Sequence, residues 1–238
     1  MTEEIAADGQ KLTIIEHLEE LRQRLVVCAV SVVVTTIIAL LFVNKIFDIL
    51  LLPAPPGVLK LIYTQMTEML TTYFKVGILA GVGASLPVIV YEFVAFVAPA
   101  MTRKEKRYFF VLLPGVIVCF LSGVVFGYFL LLPWTVKYLL TFSDIATPLI
   151  TVGNYVSFVS TILFFVGLAF ETPVILFFLA KIHVVNSKKL ASWRKYAIVG
   201  AFVVGAVITP TVDPIGQSIV AVPIILLWEI GVLLARFA

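Results

Sequence analysis

The stretch Leu25–Val43, LVVCAVSVVVTTIIALLFV, carries no charged side chain and sits in the size range of a helix that crosses a hydrocarbon core. It is the first of six apolar stretches. The others run over Met69–Met101, Tyr108–Pro133, Asn154–Ala180, Tyr196–Thr209 and Ile215–Ala235. Four of the six meet or exceed the ~20 residues that span a bilayer. The fifth, of about 14, leaves three readings open: a short tilted span, a re-entrant segment, or a helix buried by its neighbours. The pattern predicts an all-α membrane protein, with six spans the favoured count.

Lysine and arginine fall on alternate connections. Lys11, Arg22 and Arg24 precede the first span, and Arg103, Lys104, Lys106 and Arg107 separate the second from the third. Lys181, Lys188, Lys189, Arg194 and Lys195 separate the fourth from the fifth, and Arg236 follows the sixth. These are 13 of the 17 basic residues. The intervening loops hold only Lys45, Lys60 and Lys137, and Lys75 sits near the start of the second span, so both termini are expected in the cytoplasm.

Composition agrees, with 61% hydrophobic and 13% charged residues in a chain of 238. The net charge of +3 is explained by topology, and no nucleic-acid partner is expected. Glu3, Glu4 and Asp8 near the start argue against a cleavable signal peptide. Cys28 and Cys119 lie inside apolar stretches and read as packing residues. No repeat divides the chain, so residues 1–238 read as one polytopic domain. The longest external loop, Asn44–Glu68, holds Pro53, Pro55, Pro56 and Gly57 and reads as an ordered cap.

Enzyme chemistry is excluded by subtraction. His17 and His183 are the only histidines, and both fall at the cytoplasmic edge, so a serine–histidine dyad inside the membrane lacks its base. There is no H-E-x-x-H helix, and Gly81–Ser85, GVGAS, lacks the lysine of a phosphate loop. No catalytic residue, cofactor or metal is expected.

The polar residues that remain are few. Thr13–Leu25, TIIEHLEELRQRL, sets Ile14, Leu18, Leu21 and Leu25 at helical spacing, so residues 13–24 read as an amphipathic helix leading into the first span. Local roles are available there: Thr13 and Glu16 fit a capping box, and Glu20 with Arg24 an i,i+4 ion pair. Thr102 and Glu105 fit a second capping box in the loop MTRKEKRYF. Carboxylates on two cytoplasmic helix ends also suit bidentate capture of guanidinium groups, a geometry that separates arginine from lysine. Glu171, in GLAFETPVIL, lies deep within the fourth span. At that depth an ionisable group costs at least ~2.5–3.5 kcal/mol and must face protein or water. Glu92 and Glu229 lie nearer the cytoplasmic ends, where snorkelling accounts for them.

Taken in order, HLEELRQRL (17–25), SLPVIVYEFVAFVAPAMTRKEKR (85–107), GYFLLLP (127–133), SFVSTILFFVGLAFETPV (157–174), RKYAIVGAFVVGAVITP (194–210) and AVPIILLWEIGVLLARF (221–237) resemble the TatC family, the polytopic receptor subunit of the twin-arginine protein translocase. The resemblance covers nearly the whole chain. It implies a cup-shaped, six-helix protein in a prokaryotic cell membrane that receives signal peptides bearing paired arginines. It further implies single-span TatA and TatB type partners, self-association in a larger complex, and export of folded proteins driven by the proton-motive force.

By motif, Glu20 and Glu105 match the glutamates that bind the arginine pair, Arg22 and Phe96 match further positions of that region, and Glu16, Glu19 and Glu92 stand near it. Glu171 matches a buried polar residue facing the concave side. Thr209 and Gln217 match a polar site for the single-span partners, and Pro53 and Asp213 match structural positions in external loops. The chain departs from the common pattern at TPTVDP (209–214), at Glu92, where an amide is frequent, and at Val94, where tryptophan is frequent. A different reading of Glu171, as the ion site of a secondary transporter, requires discontinuous helices in related halves and a second ionisable group at depth.

Overall fold

In the bilayer every backbone polar group must be satisfied within its own segment, and long apolar runs therefore become helices. The computed structural model describes residues 14–53, 61–97, 103–141, 149–209 and 213–237, with backbone alone for 14–16 and 103–112. The helices are α1 (Ile14–Leu41), α2 (Val43–Leu51), α3 (Glu68–Val97), α4 (Arg103–Phe126), α5 (Leu132–Leu140), α6 (Val152–Phe170), α7 (Thr172–Lys181), α8 (Ser187–Ser192), α9 (Arg194–Ile208) and α10 (Pro214–Leu234). Among the described residues the only β pairing is an isolated bridge between Ile62 and Thr151.

Five segments are long and apolar enough to cross a membrane: His17–Leu41, Glu68–Val97, Leu113–Leu140, Val152–Lys181 and Pro214–Leu234. The chain is a multi-pass membrane protein. α9, with 15 residues, reaches only ~22 Å at 1.5 Å per residue, short of the ~30 Å hydrocarbon core.

Prolines decide where the long helices bend or break. Pro133 lacks an N–H, and its ring crowds the carbonyl four residues back, where the chain widens into a π-helical turn over Gly127–Leu131 before continuing as α5. The third apolar segment thus extends to Leu140 rather than stopping at Pro133. Pro173 acts similarly on the fourth: α6 stops at Phe170, Glu171 takes the junction, and α7 resumes at Thr172. Part of the sequence expected as external loop is also helical. α2 follows α1 after a break at Phe42 and presses Val43, Phe47 and Leu50 into the core.

α6 is the central post, with Val156, Val159 and Ile162 fully buried. Small residues bring its neighbours close: a Cβ on Gly167 would run into the Phe120 ring of α4, and one on Gly123 into Phe170. α1 packs chiefly along α3. There the Thr35 hydroxyl donates to the Gly81 carbonyl across the interface at 2.8 Å, and a Cβ on Gly81 would overlap the backbone and hydroxyl of Thr36. The outward valines and isoleucines of α1 are exposed, as suits a helix facing lipid. A second cluster, Leu176, Ala180, Leu190 and Val232, ties α7 and α8 to α10.

Candidate functional site

The first turns of α1 meet the last turns of α3, and their polar groups converge. Arg24 donates from Nε and Nη2 to Glu20 Oε1 at 3.0 and 2.6 Å, and from Nη1 to Glu92 Oε2 at 2.9 Å. One guanidinium is thus shared by two carboxylates from different helices. The ring of His17 stacks on Phe96, centroids 4.2 Å apart and planes at 14°, and its Nδ1 lies 3.8 Å from Glu20 Oε2. With His17 neutral the cluster carries a net charge of −1. The side chains remain open to solvent, Glu20 24% and Glu92 13% exposed.

The helical spacing of α1 explains the arrangement. His17, Glu20, Leu21 and Arg24 recur every three or four residues and face inward, whereas Leu18 and Leu25 are exposed. The polar stripe seeks the end of α3, and Leu18 and Leu25 are left for lipid. The i,i+4 pair of Glu20 and Arg24 forms as its spacing predicts. Glu92 is held by Arg24 instead of snorkelling. Glu229 is likewise paired, accepting from Arg194 Nε and Nη2 at 2.7 Å each across the ends of α9 and α10.

Of the residues expected in the arginine-binding region, Glu20, Glu92 and Phe96 come together. Arg22 lies elsewhere, on a shallow groove with Leu18, Leu25 and Ala29, and Glu19 is exposed. The side chains of Glu16 and Glu105 lie outside the described ones. The backbone of Glu105 is in the first turn of α4, which follows α3 after five intervening residues and so starts at the same end of the bundle. Arg24 and His17 were not singled out as site residues. Arg24 was visible as a local ion-pair partner, but nothing in the linear pattern pairs it with Glu92.

Glu171 is 5% exposed. Its carboxylate lies alongside the Phe120 backbone, yet neither oxygen finds a hydrogen-bond partner among the described residues. Thr209 is buried at the end of α9, its hydroxyl donating to the Gly205 carbonyl at 2.8 Å. Gln217 lies where α9 and α10 touch, its carbonyl 3.0 Å from where a Cβ on Gly205 would stand. Thr209 shares a cleft with Asn154 near the start of α6. Glu171 lies 17 residues further along that helix axis, or ~25 Å away. The three polar residues therefore do not form one compact site.

Both external-loop residues have evident positions. Asp213 caps α10, accepting from Gly216 N at 2.6 Å and from the Tyr138 hydroxyl at 2.8 Å, and Pro53 is half-buried just past α2. A residue overlooked by sequence reading, Glu68, joins the same end together: it accepts from Gly153 N at 2.8 Å and Thr64 N at 3.0 Å.

Residues 16–223 match the family model described as Sec-independent protein translocase protein (TatC). The Sec-independent protein translocase protein TatC of Aquifex aeolicus is 40% identical over 229 residues, 94% of each chain. That of Carboxydothermus hydrogenoformans is 34% identical over 231 residues, 97% of this chain and 95% of its own. A crystal structure of the twin-arginine translocase receptor TatC superposes with a TM-score of 0.84 at 39% identity, covering 93% of this chain and 99% of that one. Coverage of this extent, together with agreement of the fold, makes the chain a member of the TatC family of Sec-independent protein translocase proteins.

Proposed function

We propose that the end of the bundle carrying Glu20, Arg24 and Glu92 is the cytoplasmic receptor surface for twin-arginine signal peptides, and that the chain is the core scaffold of a proton-motive-force-driven translocase for folded proteins. The observation that carries this is the guanidinium of Arg24 between two carboxylates of different helices. It supports a surface that offers a ligand single carboxylate oxygens from two helices, spaced for a planar, forked donor such as arginine supplies and lysine does not. Glu105, opening α4 at the same end, supplies a third carboxylate.

The positive-inside bias supports a cytoplasmic position for that end and for both termini, in the membrane of a prokaryotic cell. α9, short for a span, completes a six-helix count by tilting or by thinning the bilayer around it. Glu171, Thr209 and Gln217 serve single-span TatA and TatB type partners at two separate places. The chain acts within a complex as one polytopic domain, and transport rather than catalysis is its work.

Equilibrium binding of a signal peptide carrying RR, against the same peptide with KK, to nanodisc-held protein tests the reading. RR is expected to bind more tightly, with the preference lost in Glu20→Ala and in Glu105→Ala. Equal, weak binding of both peptides by every form would reduce these carboxylates to helix caps.

A further inference from the structure

Lys75 is the basic residue that the alternating charge pattern does not explain. It lies in α3, seven residues from the end opposite the Glu20–Glu92 cluster, which puts its backbone ~10 Å along the helix from that end. It is exposed, and no carboxylate pairs with it among the described residues. Lys75 lines a cleft of about 560 Å³ between the start of α3, the end of α5, the start of α6 and the end of α9.

Across from it, α6 contributes Asn154, Ser157 and Thr161, residues at i, i+3 and i+7 along a single helical face. Among the described residues no acidic side chain lines the cleft. The rest of the wall is mostly apolar, with Leu139, Phe158 and Val207 among its residues, and it also includes Tyr155 and Thr209. An ammonium at this depth is costly unless it reaches water or meets an anion. Amide and hydroxyl groups beside it add hydrogen bonds for an anion's oxygens.

We infer that this cleft binds an anionic phospholipid of the leaflet at that end, its phosphate on Lys75 with Asn154 and Ser157 and its glycerol and upper acyl chain against the apolar wall. Charge complementarity selects the occupant: the cleft supplies a cation, neutral polar groups and a greasy surface, and a phosphatidylglycerol-type lipid supplies the converse. A lysine that only snorkels to the surface would show no lipid preference. The site does not depend on the signal-peptide reading.

Native mass spectrometry of the full-length protein, titrated in detergent with phosphatidylglycerol or with phosphatidylcholine of the same chains, tests it. Wild type and Lys75→Arg should retain one phosphatidylglycerol under activation. Lys75→Gln should lower that occupancy roughly tenfold or more, the worth of one charge-assisted hydrogen bond. Asn154→Leu should weaken it in the same direction, while Lys188→Gln with Lys189→Gln, at the other end of the bundle, should leave it unchanged. Equal retention by wild type and Lys75→Gln would overturn the proposal, as would equal binding of phosphatidylcholine. Displacement of the lipid by millimolar inorganic phosphate would overturn the lipid assignment in favour of a free anion.

Discussion

Arg24 occupies carboxylate oxygens that an incoming arginine pair would need, and the charge balance of its cluster makes a prediction with opposite signs. Glu20, Glu92 and Arg24 sum to −1 with His17 neutral. Glu92→Gln brings the sum to zero, and Arg24→Gln brings it to −2. A ligand guanidinium ~5–6 Å from the altered charge feels a change of roughly 0.7–3 kcal/mol for an effective dielectric between about 80 and 20. The residues are partly open to solvent, Glu92 13% and Arg24 25% exposed, so screening favours the lower part of that range. About 1–2 kcal/mol corresponds to ~5–30-fold in affinity.

Fluorescence anisotropy of a labelled RR peptide on nanodisc-held protein should therefore show weaker binding to Glu92→Gln and tighter binding to Arg24→Gln. Both effects should shrink when ionic strength rises from ~0.05 to ~0.5 M. Glu19→Gln, outside the cluster, should change affinity little. If Arg24→Gln weakened binding as much as Glu92→Gln does, Arg24 would not be a stand-in for the ligand, and the electrostatic reasoning would fail.

Three further outcomes are expected. Gly81→Ala places a Cβ into the Thr36 backbone, an overpacking that costs about 1–3 kcal/mol; it should lower the thermal midpoint in detergent by ~2–4 °C per kcal/mol and reduce RR binding by parting α1 from α3. Glu171→Leu removes a buried carboxylate with no hydrogen-bond partner among the described residues, so the midpoint should hold or rise by the equivalent of ~1–3 kcal/mol, while export of a folded reporter in cells lacking the native protein falls; a drop in stability would mean that the carboxylate is satisfied in the membrane. His183 has φ 59 just past α7, a left-handed position that favours glycine. His183→Gly should therefore be neutral or stabilising by up to about 1 kcal/mol, whereas His183→Val, with its β-branched side chain, should lower the midpoint.

Residue order alone carried the membrane class, the approximate spans and the ion pair of Glu20 with Arg24. The break near Glu171 is absent from that reading, which runs Asn154–Ala180 as one span, although Pro173 cannot extend a helix without disturbing the preceding turn. Other features were not legible. α2 was read as loop, since Asn44, Lys45 and Asp48 dilute a short pattern whose buried residues, Val43, Phe47 and Leu50, find their partners on distant helices. Glu229 pairs with a residue 35 positions away, and Glu92 with one 68 away. No local spacing announces such contacts.

Which parts of the chain lie in lipid depends on transfer free energies that accumulate residue by residue along each segment, and the distribution of lysine and arginine biases its orientation; both can be read without knowing any neighbour. Which face of each helix turns inward depends on rotation, at ~100° per residue, and on the partner it meets. Gly81 lets α1 approach α3 closely enough for Thr35 to reach its carbonyl. The same contact orients Glu20 and Arg24 toward Glu92 and leaves Leu18 and Leu25 outside. The composition of the charged cluster was present in the linear chain, but its convergence is a property of two helices packed at one rotation and register.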